Sequence, residues 1–254
     1  VGALREGARG DPRRATALRR YERDRERLAG VGQLRARWCD RRQTPTEQRR
    51  LALVLANYPT RNSRLANGVG LDTPASAAAM LGWLAQAGYL LGTEPLPADG
   101  DALIQLLLAG RSNDPESLHR PATAHLPLAA YECWYRTLPD DGRQRLEQRW
   151  GPPAADPSLE SQGFPIQVLR FGQVSVLIQP ERGYDRDPSL SYHSPDLPPP
   201  HAYLAQYLWL RQEAGVQLIC HVGKHGNLEW LPGKGLGLSS SCYPEWALGP
   251  MPHI

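Results

Sequence analysis

The run Leu51 to Tyr58, apolar at nearly every position and bounded by Arg50 and Pro59, restricts the fold more than any other stretch of the chain. A strand with one face in water alternates apolar and polar residues, whereas a short, uniformly apolar run suits a strand covered on both faces of a parallel sheet. Parallel strands need crossover connections, and the sequence supplies them. Asp72-Thr73-Pro74 opens a helix over 74–87 that Gly88 closes, and Asp99 to Ala109 reads as a second helix closed by Gly110. Pro165 to Phe171 and Val174 to Ile178 read as strands joined at Gly172-Gln173. Residues 201–213 read as a helix ended by Gly215, and Val216 to Cys220 as another buried strand. Strand, long loop, helix and strand make a βαβ crossover. The fold expected is α/β, with Rossmann-like units, a mostly parallel sheet and additional helical segments.

At 254 residues the chain has room for one large domain or two ordinary ones. Residues 1–46 read as the helical tail of a preceding domain, with a weak helical period through Leu18, Tyr21, Leu28, Val31 and Leu34 that Gly30 and Gly32 interrupt. Residues 47–158 form an α/β unit with a helical insert around Pro139 to Gly142, and residues 159–254 a βαβ unit. The sequence opens on Val1 and stops at His253-Ile254 just beyond an ordered-looking loop, so a piece of a larger multidomain subunit, truncated at its C-terminal end, is expected.

Several function classes are disfavoured. Arg5, Arg9, Arg13, Arg14, Arg19, Arg20, Arg23 and Arg25 crowd together, but Glu22, Asp24 and Glu26 are interleaved with them, and the net charge is only +3. That pattern is a solvated helix face and not a nucleic-acid site. Cys39, Cys133, Cys220 and Cys242 form no Cys-x-x-Cys pair, which argues against a cysteine zinc site and for free thiols in the cytoplasm. No stretch approaches the roughly 20 apolar residues of a membrane span, and no signal-peptide core is present. The phosphate loop of an ATPase is missing, so ATP is not expected to be hydrolysed on this chain. His119 and His125 lack neighbouring ligand spacing and read as surface histidines.

Chemistry concentrates where the strand Val216 to Cys220 empties into a glycine-rich turn carrying His221, His225 and Glu229, residue types that bind metals or move protons. Gly223, Gly226 and Pro232 oppose a helix there, so a strand ending in a loop is expected, not a zinc-binding His-Glu-x-x-His helix. Two other loops leave strand ends: Asn57 to Asp72, with Asn57 and Arg64, and Gln179 to Asp187, where Arg182 and Arg186 are able to grip carboxylates. On residues alone, a zinc hydrolase with a metal-bound water and a non-catalytic binding scaffold remain alternatives.

The run from His221 to Lys234, followed by Leu238-Ser239, Cys242, Pro244 and Leu248-Gly249-Pro250, resembles the central motif of the large subunit of aerobic cobaltochelatase, the CobN family, to which the large, H-type subunit of magnesium chelatase is related. The likeness extends upstream through Leu53 to Pro59, Asn67 to Pro74, Gln179 to Gly183 and Tyr192 to His201, and covers roughly residues 48–254. Lys224 to Leu231 is similar to the cobalt branch; magnesium-type subunits tend to show Thr before the second His and Phe-Met after the Glu. The resemblance implies a cytoplasmic, tetrapyrrole-binding subunit that inserts cobalt(II), its substrate metal, into hydrogenobyrinic acid a,c-diamide in cobalamin biosynthesis. It further implies ATP and Mg hydrolysis on two AAA+-type partners, CobS- and CobT-like. The alternative within the family is insertion of magnesium into protoporphyrin IX. On this reading His221, His225 and Glu229 hold the metal, with His193 and His201 as second-rank ligands, and Glu229 or His225 accepts the pyrrolic protons. Arg182, Arg186, Lys234, Asn57 and Arg64 would then bind the macrocycle and its carboxylates.

Overall fold

The computed structural model describes residues 4–9, 18–57, 65–66, 70–183, 195–223 and 228–254. An antiparallel hairpin, β1 (Leu4–Arg9) and β2 (Leu18–Arg23), precedes a single long helix, α1 (Arg25–Gln43). The helical period expected through Leu18 and Tyr21 is therefore replaced by strand pairing in the register Leu4 to Arg23 through Arg9 to Leu18. The helix starts where a cap exists, at Asp24, whose carboxylate accepts a hydrogen bond from the Arg27 amide at 3.1 Å. Gly30 and Gly32 lie inside α1 without breaking it, at about 1 kcal/mol each relative to Ala.

Beyond residue 50 the elements are β3 (Leu51–Leu55), α2 (Thr73–Gln86), α3 (Gly100–Ala109), β4 (Ala124–Leu126), α4 (Leu128–Tyr135) and α5 (Asp140–Trp150), as the sequence anticipates for the helices. Then come β5 (Phe164–Ile166), β6 (Leu169–Phe171), β7 (Val174–Ile178), α6 (His201–Gln212), β8 (Leu218–Val222) and α7 (Tyr243–Leu248). Asp72 and Asp99 cap α2 and α3 by accepting from the amides of Ala75 and Ala102 at 2.9 and 2.8 Å.

The main sheet has the order β6-β7-β3-β8, with β7, β3 and β8 parallel and β6 antiparallel at one edge. All five residues of β3 are buried, and its side chains alternate between two cores. Leu51, Leu53 and Leu55 pack with Ala77 and Leu81 of α2 and Leu103 and Leu107 of α3, while Ala52 and Val54 face Tyr203, Leu204, Tyr207 and Leu208 of α6. Helices on both faces explain why β3 shows no polar alternation. The expected α/β architecture with a mostly parallel sheet is present, and the chain segments 47–158 and 159–254 share this one sheet, because β3 sits between β7 and β8.

The hairpin from β6 to β7 turns at Gly172, whose φ is +52°. A β-carbon there would stand 2.4 Å from the Leu90 carbonyl oxygen and 2.5 Å from the Gly92 nitrogen, so only glycine fits. At the other edge, residues 252–254 run parallel beside β8: the amide of Ile219 donates to the Pro252 carbonyl at 3.0 Å, and that of His221 to the Ile254 carbonyl at 2.8 Å.

Candidate functional site

A cleft of about 670 Å³ opens at the carboxyl ends of the three parallel strands, the place where open α/β sheets collect ligands. Val54 and Ala56 at the end of β3, Gln179 just past β7, and His221 to Gly223 at the end of β8 form its floor. The short 3-10 turn Leu228–Trp230 and the segment 233–238 form one wall, and His253 and Ile254 close the edge.

His221 lies on β8, half-buried, with its Nε2 3.0 Å from the Tyr207 hydroxyl. Burial, and after it the neighbouring His253, lowers its pKa to about 4, so the imidazole is neutral at pH 7 and keeps a lone pair for a metal or a proton. Glu229 is exposed at the rim on the 228–230 turn. Its negative charge helps raise the Tyr203 and Tyr207 hydroxyls, both pushed up chiefly by burial and the latter to about 12. Lys234 lines the same cleft and is solvent-exposed. Among the described residues no group of three His, Cys, Asp or Glu side chains is close enough to hold a metal in a closed cage.

Other expected site residues stand elsewhere. Arg182 is fully buried, and its guanidinium donates to the backbone carbonyls of Trp230 and, at 3.5 Å, Leu197. It therefore braces the turn carrying Glu229 instead of reaching for a ligand carboxylate. Asn57 is also fully buried at the end of β3, where its side-chain oxygen accepts from the Ala66 amide at 3.3 Å. Ala66 needs that anchor, since its φ of +53° is unfavourable for a residue with a β-carbon. His201 is fully buried at the start of α6: its Nδ1 accepts from the Tyr131 hydroxyl at 2.9 Å and its Nε2 donates to the Gly151 carbonyl at 3.0 Å. Both ring nitrogens are used, which removes it from the ligand set. His125 is not a bare surface residue, because its Nε2 lies 2.9 Å from Glu160, which Arg111 also contacts. Arg64, Arg186, His193 and His225 lie outside the described residues.

Sequence reasoning missed His253 as a cleft residue and Tyr207 as the partner of His221, while Gln179, the first residue of the loop expected after the strand Val174 to Ile178, lines the cleft. Gln179 donates from Nε2 to the Tyr207 hydroxyl at 3.0 Å, and Tyr207 in turn meets His221. His253 is placed by the pairing of the 252–254 segment with β8, far along the chain from the glycine-rich turn. Cys242, a free thiol within the motif that carries the resemblance, has no role assigned by the sequence. It is buried behind the wall, where its sulfur accepts from the amides of Lys234 and Ser239, both at 3.4 Å. Burial acts to raise this thiol's pKa, but those two amides, the Ser239 hydroxyl and the Lys234 charge leave it below the ordinary range.

A family model described as CobN/Magnesium Chelatase matches residues 3–254. Aerobic cobaltochelatase subunit CobN of a Sinorhizobium species is 50% identical over 228 residues, covering 90% of this chain and 18% of that protein. The Pseudomonas aeruginosa subunit of the same name is 50% identical over 235 residues, covering 92% and 19%. The H-type magnesium-chelatase subunit of Chlorobaculum parvum is 30% identical over 235 residues, covering 90% and 18%. Among solved structures, the catalytic subunit of cobaltochelatase from Mycobacterium tuberculosis superposes with a TM-score of 0.82 at 39% identity, covering 98% of this chain and 21% of that one. The chain thus spans about a fifth of the length of the curated relatives it matches.

Proposed function

The chain belongs to the CobN/magnesium chelatase family, and from that membership we propose that it carries the metal- and macrocycle-handling cleft of an aerobic cobaltochelatase. Cobalt(II) is the substrate metal, hydrogenobyrinic acid a,c-diamide the acceptor, and cobalamin the end of the route. ATP and Mg are consumed on two AAA+-type partner subunits, CobS- and CobT-like. The observation that carries this reading is the convergence of His221, Glu229 and Lys234 on one cleft at the carboxyl ends of three parallel strands.

Each group has a task that its chemistry suits. A neutral imidazole at His221 is a good donor to cobalt, and exchangeable ligation of that kind lets the metal pass to ring nitrogens. Metal entry displaces the inner N–H proton of the corrin ring, and the Glu229 carboxylate at the rim accepts it. Lys234 pairs with carboxylates on the ring periphery. His225, between Gly223 and Leu228 in sequence, is the second imidazole of the set and an alternative proton acceptor. Cobalt is favoured over magnesium because identity is 50% to the cobalt relatives against 30% to a magnesium one, and because imidazole donors suit cobalt while magnesium prefers oxygen.

The test is to titrate the complete subunit with metal-free corrinoid and follow the ring absorption, with and without cobalt, ATP and the partner subunits. A cobalt- and ATP-dependent spectral change supports the reading. A change seen only with magnesium and protoporphyrin IX moves the protein to the magnesium branch, and no change with either pair overturns the chelatase reading.

A further inference from the structure

Tyr207 does not line the cleft but holds two residues that do, His221 and Gln179. It lies on α6 with its side chain fully buried, and its hydroxyl stands 3.0 Å from Nε2 of His221 and 3.0 Å from Nε2 of Gln179. The Tyr207 and His221 rings lie with centroids 6.0 Å apart and planes 35° apart. Gln179 is itself fixed, since its amide donates to the Leu55 carbonyl at 2.8 Å and its own carbonyl accepts from Asn113 Nδ2 at 2.8 Å. A hydrogen-bonded path therefore runs from the end of β7, through a tyrosine of α6, to the histidine of β8.

We propose that Tyr207 is a positioning residue that commits Nε2 of His221 to the protein interior, so that Nδ1 is the nitrogen His221 presents to the cleft. This assignment rests on the reading of the cleft as a metal-insertion site. Nε2 is held by the phenol, while Nδ1 has no hydrogen-bond partner among the described residues and belongs to a side chain that lines the cleft.

A neutral imidazole carries one N–H and one lone pair, so its two nitrogens cannot both accept. For Nδ1 to bind a metal or take a proton, the ring proton must sit on Nε2, and the Tyr207 oxygen is the acceptor that holds it there. The same oxygen accepts from Gln179 Nε2 at 3.0 Å, and the Tyr203 ring lies beside it with centroids 5.3 Å apart. Without the Tyr207 hydroxyl nothing distinguishes the two ring nitrogens, and a flip about the Cβ–Cγ bond brings either one to the cleft.

Regioselective carboxymethylation tests this directly. With thiols blocked first, the folded protein is treated with iodoacetate and digested with trypsin. Cleavage after Arg211 and Lys224 releases the peptide 212–224, in which His221 is the only histidine, separated from His225. The Nδ1 and Nε2 products are then resolved by chromatography. Wild-type protein should yield mainly the Nδ1 product. Tyr207→Phe should raise the ratio of Nε2 to Nδ1 product roughly tenfold, in line with the loss of an orienting partner. Gln179→Met, which keeps the phenol but removes the donor that orients it, should move the ratio the same way by less, and serves if Tyr207→Phe does not fold. Tyr131→Phe is the control, since it removes an equally buried hydroxyl from the tyrosine–histidine pair at His201, outside the cleft. It should leave His221 labelling unchanged.

A dominant Nε2 product in wild type, an unaltered ratio in Tyr207→Phe, or no labelling of His221 in the folded protein while the denatured chain is labelled would each overturn the assignment. In the assembled enzyme, Tyr207→Phe should lower kcat roughly tenfold with KM for the macrocycle unchanged, a split that a loosened fold would not give. Correct labelling in a wild-type enzyme that inserts no metal would sink the chelatase reading and leave the Tyr207 assignment standing; the converse result would do the opposite.

Discussion

The guanidinium of Arg182, fully buried beneath the cleft, is hydrogen-bonded to the backbone carbonyl of Trp230, the residue that follows Glu229. An arginine from the loop after β7 thus fixes the 3-10 turn that holds the rim carboxylate. Substituting Arg182→Met keeps an unbranched apolar stem but leaves the Trp230 and Leu197 carbonyls without these donors. The expected cost is about 2 kcal/mol, since an unsatisfied buried acceptor costs about 1–3 kcal/mol. Urea denaturation of wild type and variant checks it, and an unchanged midpoint would show that the bonds carry no stability.

Glu229 is assigned the proton-accepting task, and that role has its own signature. Glu229→Gln retains size and hydrogen-bonding capacity but removes the base. Metal insertion should fall on the order of 100-fold in kcat, the range of general-base contributions, while the KM for the macrocycle stays within about twofold. Steady-state kinetics on the assembled enzyme reads both. Equal losses in binding and turnover would make Glu229 a macrocycle contact instead.

What the sequence makes legible follows from how local the signals are. β3 and the strand ending at His221 are readable because uniform burial leaves uniform apolarity, and α2 and α3 because Asp72 and Asp99 are caps in sight of their helices. α6 reads as a helix with one apolar face, yet Tyr203 through Leu210 are all buried. Its polar residues are satisfied by the sheet: Gln206 donates to the Ile178 carbonyl of β7 at 2.9 Å and Tyr207 meets His221 of β8. Such tertiary pairing has no signature in the spacing of residues, so the sequence places Gln179 on a strand-end loop and Tyr207 on a helix face without linking either to His221. Arg182 misleads for the same reason. In a charged, turn-rich loop it resembles an exposed clamp, and only the packing reveals that its partners are backbone carbonyls. His253 reaches the cleft through the pairing of Ile219 with the chain's last residues, a contact between distant segments.

The burial of His221 also predicts how stability depends on acid. Its folded pKa of about 4 lies below the ordinary value of 6.5, chiefly because burial disfavours the charged ring and secondarily because His253 is near. The unfolded chain therefore binds the proton more readily. The stabilisation is complete above pH 6.5 and is lost as pH falls toward 4, amounting to on the order of 3 kcal/mol. In His221→Gln this dependence should flatten, while other groups continue to titrate. Urea midpoints measured from pH 7 to pH 4 in both proteins decide it, and parallel curves would assign the acid sensitivity elsewhere.

Gly172 offers a prediction that separates fold from site. A β-carbon at a φ of +52° would press on the backbone of Leu90 and Gly92, atoms that cannot swing aside as a flexible side chain does. Gly172→Ala should therefore cost more than the roughly 1 kcal/mol of an unfavourable backbone conformation, on the order of 2–4 kcal/mol. At this chain length that lowers the melting temperature by about 4–16 °C. The turn lies at the amino end of β7, whereas Gln179 and the cleft lie past its carboxyl end. The fraction that remains folded should consequently keep the wild-type labelling pattern at His221. If labelling changes along with the melting temperature, the register of β7 is set by this turn and the cleft depends on it.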